Sequence, residues 1–372
     1  MMASQVYLID LRTTSGRDIF TKLGWLLRRA GFYEFIQENE LVALKLHFGE
    51  EGTLGFIHPR YVGFLVEQVK SQKALAFLTD TNTVYKGSRS NSVDHLNTAL
   101  RHGFSPEVVG APIIISAGLQ GQDSFPVEVN QKHFQTVNLA AELKDIDKLI
   151  CLSHLTGHVQ AGFGGAIKNL GMGLAAKSGK LAMHSLAVPL VVEENCQGCG
   201  ICQKHCPGEA ISLEEGQRGK VAVINPSLCL GCGECIGVCP YGAVEIQWNE
   251  SAWNLQEKIC EYAYGVAKVV PVFYLNFLLK ITPACDCMDF SDAPIVPDIG
   301  ILASRDPVAI DQASIDLVNQ QEGLPGTALG ANLSSGEDKF RLLYPAVDYR
   351  VQLRYGEQIG LGSCDYELVE VG

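Results

Sequence analysis

Basic charge is scarce in this 372-residue chain: 29 lysines and arginines stand against 41 acidic residues, a formal net charge of −12. Binding a phosphate backbone needs clustered Lys and Arg, so nucleic acid is not an expected partner. Long apolar runs are missing as well. The most apolar stretch, VVPVFYLNFLL from Val269, is far shorter than the roughly 20 residues that span a bilayer, so no membrane partner is expected. The opening MMASQVYLIDLRTT carries no basic region ahead of an apolar run. No export signal is therefore expected, and a reducing cytoplasm is the expected location. Charged residues amount to only 19% against 47% hydrophobic ones. That balance excludes a disordered or fibrous chain and suits one large domain or two ordinary ones.

Cysteine, by contrast, is plentiful. Two runs, CQGCGICQKHCP from Cys196 and CLGCGECIGVCP from Cys229, each read C-x2-C-x2-C-x3-C-P, the bacterial spacing for [4Fe–4S] clusters. Three thiolates two residues apart wrap one face of a cube, and the fourth, turned away by its proline, serves the other cluster. The expected ligand sets are crossed: Cys196, Cys199, Cys202 and Cys239 for one cluster, and Cys229, Cys232, Cys235 and Cys206 for the second. Glycines 198, 200, 231 and 233 permit the tight backbone. Each half closes on a short strand, GEAISLE and YGAVEIQW, so the segment reads as an internal duplication. Zinc usually takes its ligands as two pairs, and a disulfide scaffold would need export. The segment is also acid-rich: Glu193, Glu194, Glu209, Glu214, Glu215, Glu234, Glu245 and Glu250 face Lys204, Arg218 and Lys220. Such a face steers a redox partner with a basic surface, or is simply a soluble exterior.

Elsewhere short apolar runs alternate with helical patterns. The runs begin at Leu41, Ala74, Pro112, Leu149, Val269 and Ile299, and between or after them HPRYVGFLVEQVKSQ, NSVDHLNTALRHG, ESAWNLQEKICEYAYGVAK and AIDQASIDLVNQQEG read as helices. Strands apolar on both faces, alternating with helices, indicate an α/β fold: a mostly parallel sheet flanked by helices. The cysteine segment, near 188–249, is expected as a small α+β ferredoxin-like insertion dividing a discontinuous domain of residues 1–187 and 250–372. Ligands of such sheets bind beyond the carboxyl ends of the strands. These ends carry Lys45 and His47, Asp80 and Asn82, Ser116, His154, Asn276, and Ser304 with Asp306.

Three segments carry several polar residues each. TDTNTVYKGSRSN sets Asp80 and Asn82 beside Tyr85, Lys86 and Arg89, which suits an anionic or metal-bound ligand, or an Asx-rich turn capping the next helix. SHLTGHVQAGFGGAIKNLGMGL places His154 and His158 before a glycine run and a helix bearing Lys168 and Asn169. There Gly162, Gly164 and Gly165 would let backbone N–H groups approach an anion, with Lys168 as a point charge. The segment is neither a Walker loop nor a G-x-G-x-x-G fingerprint, so no nucleotide follows. In PACDCMDFSDAPIVPDIGILASRDPVAIDQA, Cys285 and Cys287 would point apart if extended, a poor pair for one ion, which leaves Asp286 as the member of interest. Asp306 and Asp311 suit either helix capping or catalysis.

KLHFGE, TDTNTVYKGSR, HLTGHVQAGFGGAIKNLGMG, CDC and PDIGILASRDPVAIDQA, with the cysteine segment between the third and fourth, resemble the domain of unknown function 362 family of uncharacterised iron–sulfur-centre proteins. The resemblance implies an α/β body interrupted by a two-cluster module, and it implies no reaction. The expected function is an oxidoreductase passing single electrons through two [4Fe–4S] clusters to an anionic small molecule or second cofactor at the strand ends. His154, His158, Lys168, Asp80 and Asp286 would supply catalysis, and Lys86, Arg89, Asn169 and the three glycines would hold the ligand or a further metal ion. The alternative is a non-enzymatic electron carrier or a metal-centre assembly protein. A purely structural use of two clusters is weaker, since the host already has residues enough for a core.

Overall fold

The computed structural model describes residues 3–184, 188–217, 219–331 and 333–372, so Arg218 of the acid-rich segment lies outside the described residues. Its centre is an eight-stranded sheet in the order Tyr366–Glu370, Ser4–Asp10, Gly300–Ser304, Val272–Leu278, Lys148–His154, Leu41–Lys45, Leu75–Thr81 and Ile113–Ser116. The middle strands are buried on both faces, as in VFYLNFL, where all seven side chains are inside. Burial on both faces requires a helical layer on each side, and both are present. One core packs the sheet against the helices Ala166–Gly171, Ala252–Val269 and Pro307–Gln320. The other packs it against Ile19–Arg29 and Pro59–Ser71. The fold is the mostly parallel α/β architecture that the alternating pattern indicates.

Helix starts follow local chemistry. Asn91 caps Ser92–Arg101 by accepting from Val93 and Asp94 N–H, and Ser251 caps Ala252–Val269. Asp306 accepts from Val308 and Ala309 N–H and so caps Pro307–Gln320, as a carboxylate at an N-terminus should.

One strand runs against expectation. Gly300–Ser304 pairs antiparallel with both Ser4–Asp10 and Val272–Leu278, while the remaining pairs are parallel. Its carboxyl end therefore lies at the opposite edge of the sheet. Ser304 faces Tyr274 and Val6 near the beginnings of their strands, and Ser4 Oγ donates to Asp306 Oδ2 at 2.7 Å. Ser304 and Asp306 leave the expected rim. Asn276 leaves it too, because its amide is consumed in the core by Asp311 Oδ1 (2.8 Å) and Ser314 Oγ (3.0 Å).

The cysteine segment carries two small antiparallel pairs, Leu190–Val191 with Val244–Glu245 and Ile211–Gly216 with Gly219–Ile224. Its short helices Ile201–Lys204 and Glu234–Val238 follow the glycines, and Gly198, Gly200, Gly231 and Gly233 all have positive φ. Its apolar cluster includes Val84 and Leu181, with Tyr85 packed against it, so the segment is seated on the first polar loop of the sheet.

Candidate functional site

A cavity of about 360 Å³ opens beyond the carboxyl ends of Leu41–Lys45 and Leu75–Thr81. Asp80, Arg89, His158, Lys168 and Asn169 line it together, as do Lys45, Lys180 and Cys287. Four cationic side chains thus share the wall with one carboxylate.

Lys45 is 1% exposed and donates to Asn169 Oδ1 at 2.7 Å, with Asp80 Oδ1 3.0 Å away. Asn169 is fixed in turn by donating to Leu152 C=O (2.8 Å) and Ser153 Oγ (3.1 Å). Burial opposes the Asp80 charge, but Lys45 above all, with His95, Lys180 and Arg89, outweighs it and lowers the pKa of this carboxyl. Asp80 Oδ2 has no hydrogen-bond partner among the described residues. Arg89 is held by Glu50 Oε2 (3.1 Å) and donates to Tyr85 Oη at 2.8 Å. Lys180 donates to Thr81 Oγ1 and Asn82 C=O, both at 2.7 Å, and burial pushes its ammonium down to about 7.

The CDC loop does not extend. Met288 N–H donates to Cys285 C=O (3.0 Å), closing a turn that brings both sulfurs to one side. With a ring nitrogen of His158 they lie within 4.8 Å of one another. The expectation that the thiols point apart is thereby overturned, because alternation holds only for extended backbone. Lys168 Nζ stands 3.5 Å from Cys285 Sγ. Burial works against the Lys168 charge, yet Cys285, Cys287 and Asp286 outweigh it and raise the pKa. His158 Nδ1 accepts from Gln160 N–H (3.2 Å) and Ala161 N–H (3.1 Å), and burial keeps the ring neutral, well below its ordinary pKa.

His154 and Asp286 do not line this cavity. They pair behind the CDC turn, His154 Nδ1 to Asp286 Oδ2 at 2.8 Å and Nε2 to Leu279 C=O at 2.7 Å. Both partners are acceptors, so the ring carries two hydrogens. Burial opposes that charge, but Asp286 prevails and raises the His154 pKa. His154 instead borders a second hollow, of about 740 Å³, with Tyr61 and Lys280. Lys86 is exposed and donates to Pro240 C=O (3.1 Å), tying the polar loop to the cysteine segment.

The glycine run is occupied by the chain itself. Asp311 Oδ1 accepts from Ala166 N–H (2.7 Å) and Oδ2 from Ile167 N–H (3.0 Å). A Cβ on Gly165 would meet Asp311 Oδ1 at 2.3 Å, so glycine is needed for this close approach. Gly162 packs against Tyr349, and Gly164 lies beside the Lys168 stem. These three glycines shape the segment from within and do not line the cavity.

The eight motif cysteines surround two separate hollows. Cys196, Cys199, Cys202 and Cys239 line one; Cys206, Cys229, Cys232 and Cys235 line the other. All are free thiols. Backbone N–H groups donate to several of them, among these Ala210 to Cys206 (3.2 Å), Ala222 to Cys196 (3.4 Å) and Ala243 to Cys239 (3.2 Å). Gly233, beside the second hollow, lies against Val84, and a Cβ there would stand 3.4 Å from Val84 Cγ2. Val84 also lines the cationic cavity. One valine side chain therefore lines the cavity and packs beside a glycine that lines the second hollow.

Sequence reasoning placed Lys45 and His47 at strand ends without assigning them to the site, and it missed Lys180 and Glu50 as site residues. KLHFGE held a signal, since Lys45 and His47 line the cavity and Glu50 holds Arg89. Lys180 had none, because a lysine on a short helix reads as solvated.

A family model described as Domain of unknown function (DUF362) matches residues 42–316. No curated protein matches the chain. Among solved structures, the lactate racemase apoprotein from Thermoanaerobacterium thermosaccharolyticum aligns over 73% of this chain and 50% of its own, at 11% identity and a TM-score of 0.40. A structural-genomics protein from Thermotoga maritima aligns over 91% of this chain and 58% of its own, at 9% identity and a TM-score of 0.34. The chain thus spans half the length of the racemase apoprotein and under two thirds of the other. No described helix is long and apolar enough to cross a membrane.

Proposed function

Because the chain belongs to the domain of unknown function 362 family, whose description names no reaction, we propose its function from the site itself. It is an iron–sulfur oxidoreductase that delivers single electrons to an anionic small molecule or second cofactor held in the cationic cavity. The observation that carries this reading is the position of Val84, which borders both the cavity and the apolar cluster around the second four-cysteine hollow.

Two groups of four free thiols, each around its own hollow, fit the donor set of a [4Fe–4S] cluster. Cys196, Cys199, Cys202 and Cys239 would hold one, and Cys206, Cys229, Cys232 and Cys235 the other. Bound clusters supply one-electron transfer. Amides of Ala210, Ala222 and Ala243 donate to the thiolate sulfurs and so set how readily negative charge accumulates there. Val84 and Leu181 keep water out of the contact between segment and sheet.

In the cavity, Lys45, Arg89, Lys168 and Lys180 would neutralise an anion inside a low-dielectric enclosure, where such contacts are strong. His158 keeps Nδ1 as an acceptor, so its ring hydrogen sits on Nε2, available as a donor. The exposed carboxylates Glu194, Glu209, Glu214, Glu215 and Glu245 would face a basic redox partner in the cytoplasm. Glu250 leaves that face, buried against Lys258. A non-enzymatic carrier would have no use for a buried cationic cavity.

Native mass spectrometry of anaerobically purified protein tests the reading. Iron and sulfide should each approach about eight per chain. A small anion should travel with the wild type and be lost in Lys168→Ala and Arg89→Ala without loss of iron. An anion retained equally by both variants contradicts the cavity assignment.

A further inference from the structure

Cys285 and Cys287 belong to neither four-cysteine hollow. From the packing of their turn we infer that they are a redox-active dithiol, a two-electron couple that makes and breaks one disulfide at the cavity wall. The couple stands on thiol geometry alone. Only the source of its electrons, a one-electron donor acting through the iron–sulfur segment, rests on the function proposed above.

The turn presents both sulfurs on one side, within 4.8 Å of each other and of a His158 ring nitrogen. Cys287 lines the cavity, while Cys285 is only 7% exposed. Two donors converge on the buried sulfur: Cys287 N–H at 3.3 Å and Lys168 Nζ at 3.5 Å. The hydrogen bond with the Cys287 thiol, followed by the Lys168 charge, overcomes burial and draws Cys285 down to about 6. Cys287 is pushed well above its ordinary range by the same hydrogen bond and by burial. A stabilised thiolate beside a protonated thiol is the reduced form of an exchange-competent pair. Asp286 points the other way, and its pairing with His154 at 2.8 Å pins the turn so that both thiols face Lys168 and His158.

His158, Cys285 and Cys287 also offer the donor types of a metal site. Two features oppose that use. A metal-bound histidine normally donates its second ring N–H outward, whereas His158 Nδ1 accepts from Gln160 and Ala161 N–H. The Lys168 ammonium already supplies the positive charge beside Cys285 that a metal ion would bring.

The chemistry balances as follows. Reduction takes in two electrons, one at a time, and one proton. The Sγ–Sγ bond breaks, Cys285 leaves as a thiolate facing Lys168, and Cys287 takes the proton. Oxidation by a disulfide of the glutathione class reverses this: the Cys285 thiolate and Cys287 thiol form the Sγ–Sγ bond while the acceptor's own disulfide breaks, taking up the two electrons and the proton as one thiol and one thiolate.

The test needs no variant to fold. Anaerobic wild-type protein is equilibrated in glutathione buffers of stepped reduced-to-oxidised ratio, quenched with N-ethylmaleimide and cut with trypsin. The peptide after Lys280 and ending at Arg305 contains Cys285 and Cys287 and no other cysteine. It should pass from doubly alkylated to unalkylated and two hydrogens lighter as the buffer becomes oxidising. Lys168→Ala and Lys168→Met remove a charge that favours the reduced form, so both should form the disulfide at an about tenfold lower oxidant ratio. Two alkylated thiols at every ratio overturn the proposal. So do two thiols shielded from maleimide until EDTA releases one metal ion per chain. Absence of iron from the protein would defeat the cluster reading and leave this result untouched.

Discussion

Asp311 and Ala166, 145 positions apart in sequence, meet at 2.7 Å where the carboxylate accepts the backbone N–H that opens the Ala166–Gly171 helix. An anion does occupy the start of the glycine-led helix, and the chain supplies it. Replacing Asp311 by Ala would strand the N–H groups of Ala166 and Ile167 and the Asn276 amide, all of which it now accepts. A buried donor left unpaired costs about 1–3 kcal/mol, so urea unfolding should show a loss on the order of 3 kcal/mol. Burial holds the Asp311 pKa up at about 6, above its ordinary 3.8. The fold therefore binds an extra proton between those values. Its contribution is fully present below pH 3.8 and is lost as pH rises through about 6, so the gap between wild type and variant should narrow over that window. A gap that widens with pH contradicts the assignment.

The His154–Asp286 pair should show in the pH dependence of stability. The folded pKa of His154 is raised above its unfolded value near 6.5. Its contribution is fully present below about pH 6.5 and disappears as pH rises through the raised value. Asp286→Ala leaves a buried imidazole facing a carbonyl alone, and losing one partner of such a pair costs about 3–5 kcal/mol. Thermal unfolding of this variant should lose most of its deficit relative to wild type at alkaline pH, and an unchanged deficit speaks against the clamp.

Lys180 sets the pH response of anion binding. Burial pushes its ammonium down to about 7, and a bound anion would favour the charged form. Binding therefore takes up a proton above that pH, and affinity should fall about tenfold per unit until the bound-state pKa is passed. Isothermal titration with sulfate, which does not itself titrate in this range, between pH 6 and 9 reads the slope. Lys180→Met should flatten it, and a wild-type affinity indifferent to pH would remove Lys180 from the site.

Much of the sheet was legible because its inner strands are apolar on both faces. IIIS, LICLSH and VFYLN admit few other readings, and the helices between them carry their own caps. What escaped were the relations that chain order does not encode. Gly300–Ser304 reads like its neighbours, and only its pairing shows that it runs backwards and takes Ser304 and Asp306 to the far edge. The strands Ser4–Asp10 and Tyr366–Glu370 are partly exposed, so their apolar signal is diluted. At the site, Asp80, Arg89, His158, Lys168 and Asn169 meet as expected. His154 was grouped with them as a strand end and Asp286 as the odd member of the CDC loop, and chain order does not say which side of a strand end or a tight turn each side chain faces.

Modularity can be tested by excision. The described residues of 188–249 contribute nothing to the two large cores, and their own cluster reaches the sheet domain through Val84, Tyr85 and Leu181. Exchanging them for a Gly/Ser linker, with Val84 and Leu181 changed to Ser, should leave a cluster-free domain that unfolds cooperatively in urea. Loss of the cooperative transition would mean that the segment is part of the core.

The most direct measurement is the electron paramagnetic resonance of anaerobically reduced wild type beside Cys199→Ser, Cys206→Ser, Cys232→Ser and Cys239→Ser. The crossed arrangement of Cys206 with Cys232, and of Cys239 with Cys199, predicts two signals. Cys206→Ser and Cys232→Ser should alter the same one, and Cys239→Ser and Cys199→Ser the other. Pairing of Cys206→Ser with Cys199→Ser, or the absence of any iron–sulfur signal, would contradict it.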